Sequence, residues 1–214
     1  MVTDAESFSR RYNVDVRPNC EVIDIDRQKR EIAVKNLQTG QQYRESYGKL
    51  ILSPGAEPIR PPFAGAQGNN VFTLRNIPDT DRIKAHVDEN KPKRAVIVGG
   101  GFIGLEMIEN LAFRGIEITL VEKMDQVMPP LDYEMAALIE AHLIEKKVEC
   151  RFGDGVAGIE RNGSSLTVNT ENGASIECDM VILSIGVRPE TGLAQKAGLA
   201  LGSAGGIAVD DTLQ

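Results

Sequence analysis

Residues Ala95 to Glu122 read AVIVGGGFIGLEMIENLAFRGIEITLVE: an apolar strand, a glycine-rich turn, a helix, and a second strand closed by a carboxylate. Ala95 to Val98 form a short apolar run of the kind buried on both faces in a parallel sheet, and glycines stop it at once. Gly99 allows a tight turn, and Gly101 lets backbone approach a pyrophosphate with no Cβ in the way. Gly104 lets the following helix pack closely on the strand. The candidate phosphate cradle is therefore the run Gly99, Gly100, Gly101, Phe102, Ile103 and Gly104, set at a helix N-terminus whose free N–H groups and dipole favour an anion. The helix places Ile103, Met107, Ile108 and Leu111 on one face and ends near Arg114 and Gly115. A bland alternative is a glycine turn that only packs a helix.

Glu122 ends the second strand, 21 residues after Gly101, the separation at which such a unit presents an acid to an adenosine ribose. A carboxylate there accepts from both ribose hydroxyls, at about 1.5–3 kcal/mol per charged bond, whereas a 2′-phosphate would meet like charge. NAD(H) is favoured over NADP(H), with Lys123 next to the acid weighing the other way.

The chain has 214 residues, 42% of them hydrophobic, and a net charge of −7, enough for one large or two small globular domains. The acidic balance, with no basic cluster interleaved with aromatics, argues against nucleic acid and anionic membrane as partners. No apolar run approaches a membrane span, the N-terminus lacks a signal-peptide core, and a cytoplasmic setting is expected. Cys20, Cys150 and Cys178 are far apart with no CxxC pair, so they read as small buried hydrophobes rather than a disulfide framework. His86 and His142 fall on predicted helices without partners at ligand spacing, and no metal site is expected.

Two segments resemble each other: LILSPGAEP, Leu50 to Pro58, and VILSIGVRP, Val181 to Pro189. A meander precedes each. The first runs through Val22 to Arg27, Glu31 to Leu37 and Gln42 to Tyr47, with Thr39-Gly40 in a turn. The second runs through Val156 to Arg161, Leu166 to Asn169 and Ser175 to Cys178, with turns at Asn162-Gly163 and Asn172-Gly173. The copies are offset by 131 residues, so the first copy's counterpart of Ala95 falls about 36 residues before Met1. The expectation is a fragment that begins inside a first dinucleotide domain and contains a second one whole.

The expected fold is α/β, a Rossmann-like parallel sheet with a three-stranded β-meander of FAD/NAD(P)-binding-domain type, plus part of a second similar domain. Residues 1–74 are read as the truncated domain, with a helix at Asp4 to Tyr12 and an apolar strand at Leu50. Residues 75–204 form the nucleotide domain, and 205–214 the start of a return strand at Ile207 to Asp210. Within 75–204 come a helix over Ile77 to Asn90, begun near Asp79 or Thr80, and another over Tyr133 to Lys146. The latter is capped by Asp132, with Met135, Leu138, Ile139 and Leu143 as its core face.

With both segments in order, the chain resembles the middle of a flavin-dependent pyridine nucleotide-disulfide oxidoreductase over essentially all its length. GGGFIGLEMIENL, MPPLDYEM and GVRPE are most similar to the coenzyme A-disulfide reductase, NADH oxidase and persulfide reductase branch. The family marker that usually reads Ala-Thr-Gly is Ser53-Pro54-Gly55 here. The resemblance implies a FAD domain interrupted by an NADH domain, with hydride passing from nicotinamide to flavin and on to a cysteine. It places Val22 against the FAD adenine and Gly55 near its phosphates. Phe102 matches an aromatic that covers the flavin until nicotinamide displaces it, or is a core residue of its helix. Glu106 matches an acid that contacts a lysine beside the reactive flavin nitrogen, a lysine the resemblance puts outside this sequence, or is a solvated helix residue. Gly186 falls at the nicotinamide end of the crevice, and Arg188 reads as a surface or interdomain cation. The resemblance puts the catalytic cysteine, two flavin motifs and a homodimerisation domain outside this sequence. The fragment is then expected to bind NAD(H), to hold no flavin, and to be inactive. Coenzyme A disulfide, a persulfide, oxygen or peroxide are all open as the final acceptor. The alternative is a stand-alone NAD-binding or sensing module without redox activity.

Overall fold

The computed structural model describes residues 4–214; Met1 to Thr3, the first residues of the expected truncated domain, lie outside the described residues. The described chain divides into two units, one running up to Ala56 and including Pro189–Gln214, the other Glu57–Arg188.

In the first unit, helix α1 (Ala5–Tyr12) starts where Asp4 accepts a hydrogen bond from Ser7 N at 2.7 Å and stops at Asn13 in the left-handed region. The meander forms as expected, with β1 (Cys20–Asp26), β2 (Glu31–Asn36) and β3 (Gln42–Ser46) antiparallel in that order and Ile25 and Val34 buried beneath it. Two expectations fail here. The apolar segment at Leu50 is not a strand, and Ile51 is 88% exposed: among the described residues it pairs with no sheet, and an apolar run without ladder partners stays irregular. The expected return strand Ile207 to Asp210 is reduced to one bridge between Leu201 and Ile207.

After the short strand β4 (Ala56–Pro58), the second unit is built on a five-stranded parallel sheet in the order β5 (Val71–Phe72), β12 (Met180–Leu183), β6 (Arg94–Val98), β7 (Glu117–Val121), β8 (Glu149–Arg151). Strand residues alternate between two cores, as a pleated sheet covered on both faces requires. Ile97, Leu120 and Ile182 face α2 (Ile77–Asn90), α3 (Phe102–Phe113) and α4 (Tyr133–Glu145). Val96, Val98, Val121, Val181 and Leu183 face the second meander, β9 (Val156–Asn162), β10 (Ser165–Thr170) and β11 (Ser175–Cys178). Phe63, Ala66 and Val71 join that second core and β5 joins the sheet, so residues 57–74 pack within the second unit. The divisions at 56/57 and 188/189 thus differ from the expected 74/75 and 204/205.

The helices depart from expectation in detail. α2 is opened by Asn76, in a reciprocal capping box with Asp79. Asp132 is the first residue of α4's cap but makes no side-chain cap bond. The buried face of α4 is Ala136, Ile139 and Leu143 around Glu140, which accepts from Val127 N, while Met135 and Leu138 stand 55% and 66% exposed. One residue along a helix turns the side chain by about 100°, and the polar Glu140 inside the true stripe hides that stripe from a hydrophobicity reading.

Candidate dinucleotide site

The strands of the parallel sheet all point their C-terminal ends at one crevice. Beyond β6 the chain enters the glycine turn toward β7, and the neighbouring β12 lies on its other side. The crevice therefore opens at the point where strand order reverses, the place at which open α/β sheets take ligands. A cavity of about 620 Å³ lies there, lined among others by Gly99, Gly101, Glu122, Lys123, Ser184 and Gly186.

The three motif glycines do different things. Gly99, at φ +102°, sits so close to β12 that a Cβ would stand 2.5 Å from Ser184 O, and its N–H donates to Val121 O. A Cβ on Gly104 would meet Gly99 O at 2.0 Å and Ser184 Oγ at 2.9 Å, so helix and turn touch through backbone. A Cβ on Gly101 would meet no heavy atom within 4 Å among the described residues. Its space opens into the cavity. Gly101 is also the N-cap of α3 and gives no side-chain cap, so the helix begins at the edge of the cavity with first-turn amides that helix geometry leaves without intrahelical partners. Gly100 holds the turn from behind, its carbonyl accepting from Met128 N at 2.9 Å.

Glu122 lies at this turn as its spacing predicts, but it is only 7% exposed and does more than wait at a strand end. Oε2 accepts from Gly100 N at 2.5 Å, and Oε1 accepts from Met124 N at 2.8 Å. The carboxylate therefore fastens the glycine turn to the β7 exit. A carboxylate has about four acceptor positions, so two protein bonds leave room for further donors from the cavity side. Lys123 projects next to it and pairs with Glu171 at 2.9 Å.

Phe102 is 71% exposed, which excludes the core reading, and Ile103 is partly buried against the helix-side core. Glu106, one turn further along α3, is exposed. Gly186, at φ +112°, accepts from Ile59 N and joins the lining. Arg188 pairs with Glu57 at 2.6 Å. Val22, in β1, and Gly55, at φ +77°, belong to the other unit.

Sequence reasoning did not find Asp154, Gly155, Glu171 or Ser184 as lining residues. Asp154 is 6% exposed and accepts from Asn172 N, which pins the β10–β11 turn to the loop before β9. Ser184 Oγ lies 2.9 Å from both Val98 O and Gly99 O, stitching β12 to the glycine turn. The hint was the GDG run at Gly153 to Gly155, a buried acid between glycines. Burial raises the Cys150 thiol to about 11 and the Cys178 thiol to about 12, with Glu140 and Asp179 respectively adding to it, so neither thiolate is available near neutral pH. Among the described residues no helix is long and apolar enough to cross a membrane.

The pyridine nucleotide-disulphide oxidoreductase profile matches residues 3–214. A coenzyme A disulfide reductase of Staphylococcus aureus is 32% identical over 209 residues, which cover 98% of this chain and 46% of that protein; the chain spans about half the relative's length. The reduced Bacillus anthracis CoADR-RHD structure superposes with a TM-score of 0.94 at 51% identity, over 100% of this chain and 38% of that one. A NAD-dependent persulfide reductase from A. fulgidus does so with a TM-score of 0.89 at 34% identity, over 98% of this chain and 38% of the other. A profile match over nearly every residue, on a doubly covered parallel sheet with its glycine turn at the reversal of strand order, places the conclusion beyond fold alone: the chain belongs to the pyridine nucleotide-disulphide oxidoreductase family.

Proposed function

We propose that this chain is the NADH-binding portion of a cytoplasmic flavoprotein oxidoreductase that passes hydride from NADH to FAD and on to a disulfide-type acceptor, coenzyme A disulfide or a persulfide. The observation that carries the proposal is the pairing of an open Gly101 with a buried Glu122 on one cavity. The Gly101 space and the first-turn amides of α3 take the pyrophosphate, and Glu122 accepts from the adenosine ribose hydroxyls while it holds the turn. Ser184 and Gly186, at the end of β12, border the nicotinamide half, and the exposed Phe102 covers its approach. The names of the relatives support the choice of acceptor class.

Bound FAD supplies the hydride acceptor and the relay of the electron pair to the disulfide. From this chain, Val22 and Gly55 are the proposed flavin contacts, and Glu106 the acid that would hold a lysine beside the reactive flavin nitrogen. Gly55 fits a phosphate neighbour, because nothing among the described residues stands within 4 Å of its Cβ position. Among the described residues the Leu50 to Leu52 segment pairs with no strand and leaves Ile51 exposed, an apolar edge that a bound partner segment of a flavin unit would cover. With Cys150 and Cys178 held as thiols, the chain by itself binds NADH without oxidising it. The test is to purify the 214-residue chain, record its spectrum and titrate it with NADH. A colourless protein that binds NADH saturably and turns over none is expected. A flavin spectrum, or NADH consumption well above a no-protein control, contradicts the proposal.

A further inference from the structure

Glu171 is the residue of the cavity that the glycine-turn reading leaves without a role. It comes from the β10–β11 turn, on a meander whose other visible task is to cover the sheet. Four bonds place it. Glu171 N donates to Gly155 O at 2.7 Å, Asn172 N to Asp154 Oδ1 at 3.1 Å and Asn172 Nδ2 to Gly153 O at 3.2 Å, while Asp154 N donates to Glu122 O at 3.1 Å. The turn is thereby tied, through a buried acid, to Glu122, the residue that follows β7. The Glu171 carboxyl lies flat on Gly155, where a Cβ would stand 2.6 Å from its Cδ and Oε2, so a side chain at 155 would push it out of the cavity wall. From there Oε1 reaches Lys123 Nζ at 2.9 Å.

Lys123 is the cation adjacent in sequence to Glu122, and so the group best placed to receive an extra phosphate on the adenosine ribose. A lysine ammonium is a compact point charge that serves phosphate well. Its charge is instead matched by Glu171, at a position where both partners also line the cavity. Resting on the NADH reading above, we infer that Glu171 is a specificity-determining residue. By holding and neutralising Lys123 it denies the cavity a phosphate-binding cation and adds a second carboxylate facing the 2′ position, so discrimination against NADPH is shared between Glu122 and the meander.

The two side chains are 71% and 48% exposed, so the pair is screened by solvent and salt, and its effect on affinity is modest. For a doubly charged 2′-phosphate a few ångströms from the released ammonium, Glu171→Gln is expected to tighten NADPH binding roughly fivefold to tenfold at low salt. In a Lys123→Ala background the same substitution removes only a repulsion, and the gain should shrink to about twofold. Both nucleotides are titrated by calorimetry against the unsubstituted chain, Glu171→Gln, Glu171→Ala as a second way of releasing the lysine, Lys123→Ala and the double variant, each checked by thermal melting. A lower NADH-over-NADPH preference that depends on Lys123 and fades in high salt supports the inference. If the unsubstituted chain binds NADH but the preference is unmoved, or moves equally without Lys123, the inference is overturned and the NADH reading stands. If the unsubstituted chain binds neither nucleotide, both are overturned.

Discussion

Replacing Gly101 with valine separates nucleotide binding from folding in a way that the other two motif glycines cannot. Gly101 has φ −80° and ψ −173°, extended backbone open to any residue, and its Cβ position has no heavy atom of the described residues within 4 Å. Valine is a poorer N-cap than glycine, a penalty of about 1 kcal/mol, or roughly 2–4 °C in melting temperature for a chain of this size. The branched side chain then fills the space assigned to the pyrophosphate. If it displaces the phosphates from two amides, at about 1.5–3 kcal/mol per charged bond, the affinity for NADH falls by roughly a hundredfold or more. Gly104→Ala is the contrasting variant: its Cβ would lie 2.0 Å from Gly99 O, so the turn or the helix must move, and it should lose folding and binding together. Calorimetric titration with circular dichroism melts reads both quantities. A folded Gly101→Val that keeps NADH affinity within a few-fold refutes the reasoning, because the open space would then not be the phosphate site.

Glu122→Gln should lower the melting temperature as well as the preference for NADH. Its amide can accept only one of the Gly100 and Met124 N–H groups and sets a donor against the other, a loss of about 1–3 kcal/mol. An unshifted melt with unchanged preference would show that neither task belongs to Glu122. A second expectation concerns acid. His86 in α2 packs its ring 5.1 Å from Phe72, and its Nε2 is buried with no hydrogen-bond partner among the described residues. Burial holds its pKa below the usual 6.5, against the pull of Asp179 and Glu89. The unfolded chain thus takes up this proton first as pH falls, so stability present above about pH 6.5 is lost as pH drops through the folded value. Melts at pH 7.5 and 5.5 should differ less in His86→Phe than in the unsubstituted chain; an equal difference in both excludes His86 as a source of acid sensitivity.

The central βαβ unit was legible because its signals are local: an apolar run, glycines at fixed offsets, a helix-length stripe and an acid at the right distance. The structure returns each of them within a residue or two. Glu122 was legible as a position but not as a fastening, since its bonds to Gly100 and Met124 depend on how two turns face each other across the sheet end. The cavity wall from the meander was not legible at all. Asp154 and Glu171 reach the site by loop-to-loop bonds between residues about 18 apart, which no periodicity announces. On α4 the pattern misled because two helical stripes share Ile139 and Leu143, and the buried one contains a glutamate that bonds a loop amide. At Leu50 a strand-like apolar run did not become a strand, since a parallel strand exists only where a neighbour supplies its ladder.

The most direct measurement of the central claim is a crystal structure of the chain grown with NADH. Density for the dinucleotide is expected along the C-terminal ends of β6, β7 and β12, with the pyrophosphate in the space beside Gly101 and the adenosine ribose hydroxyls within hydrogen-bond reach of Glu122. A dinucleotide bound elsewhere, or lying in the cavity with its phosphates away from Gly101, would contradict it.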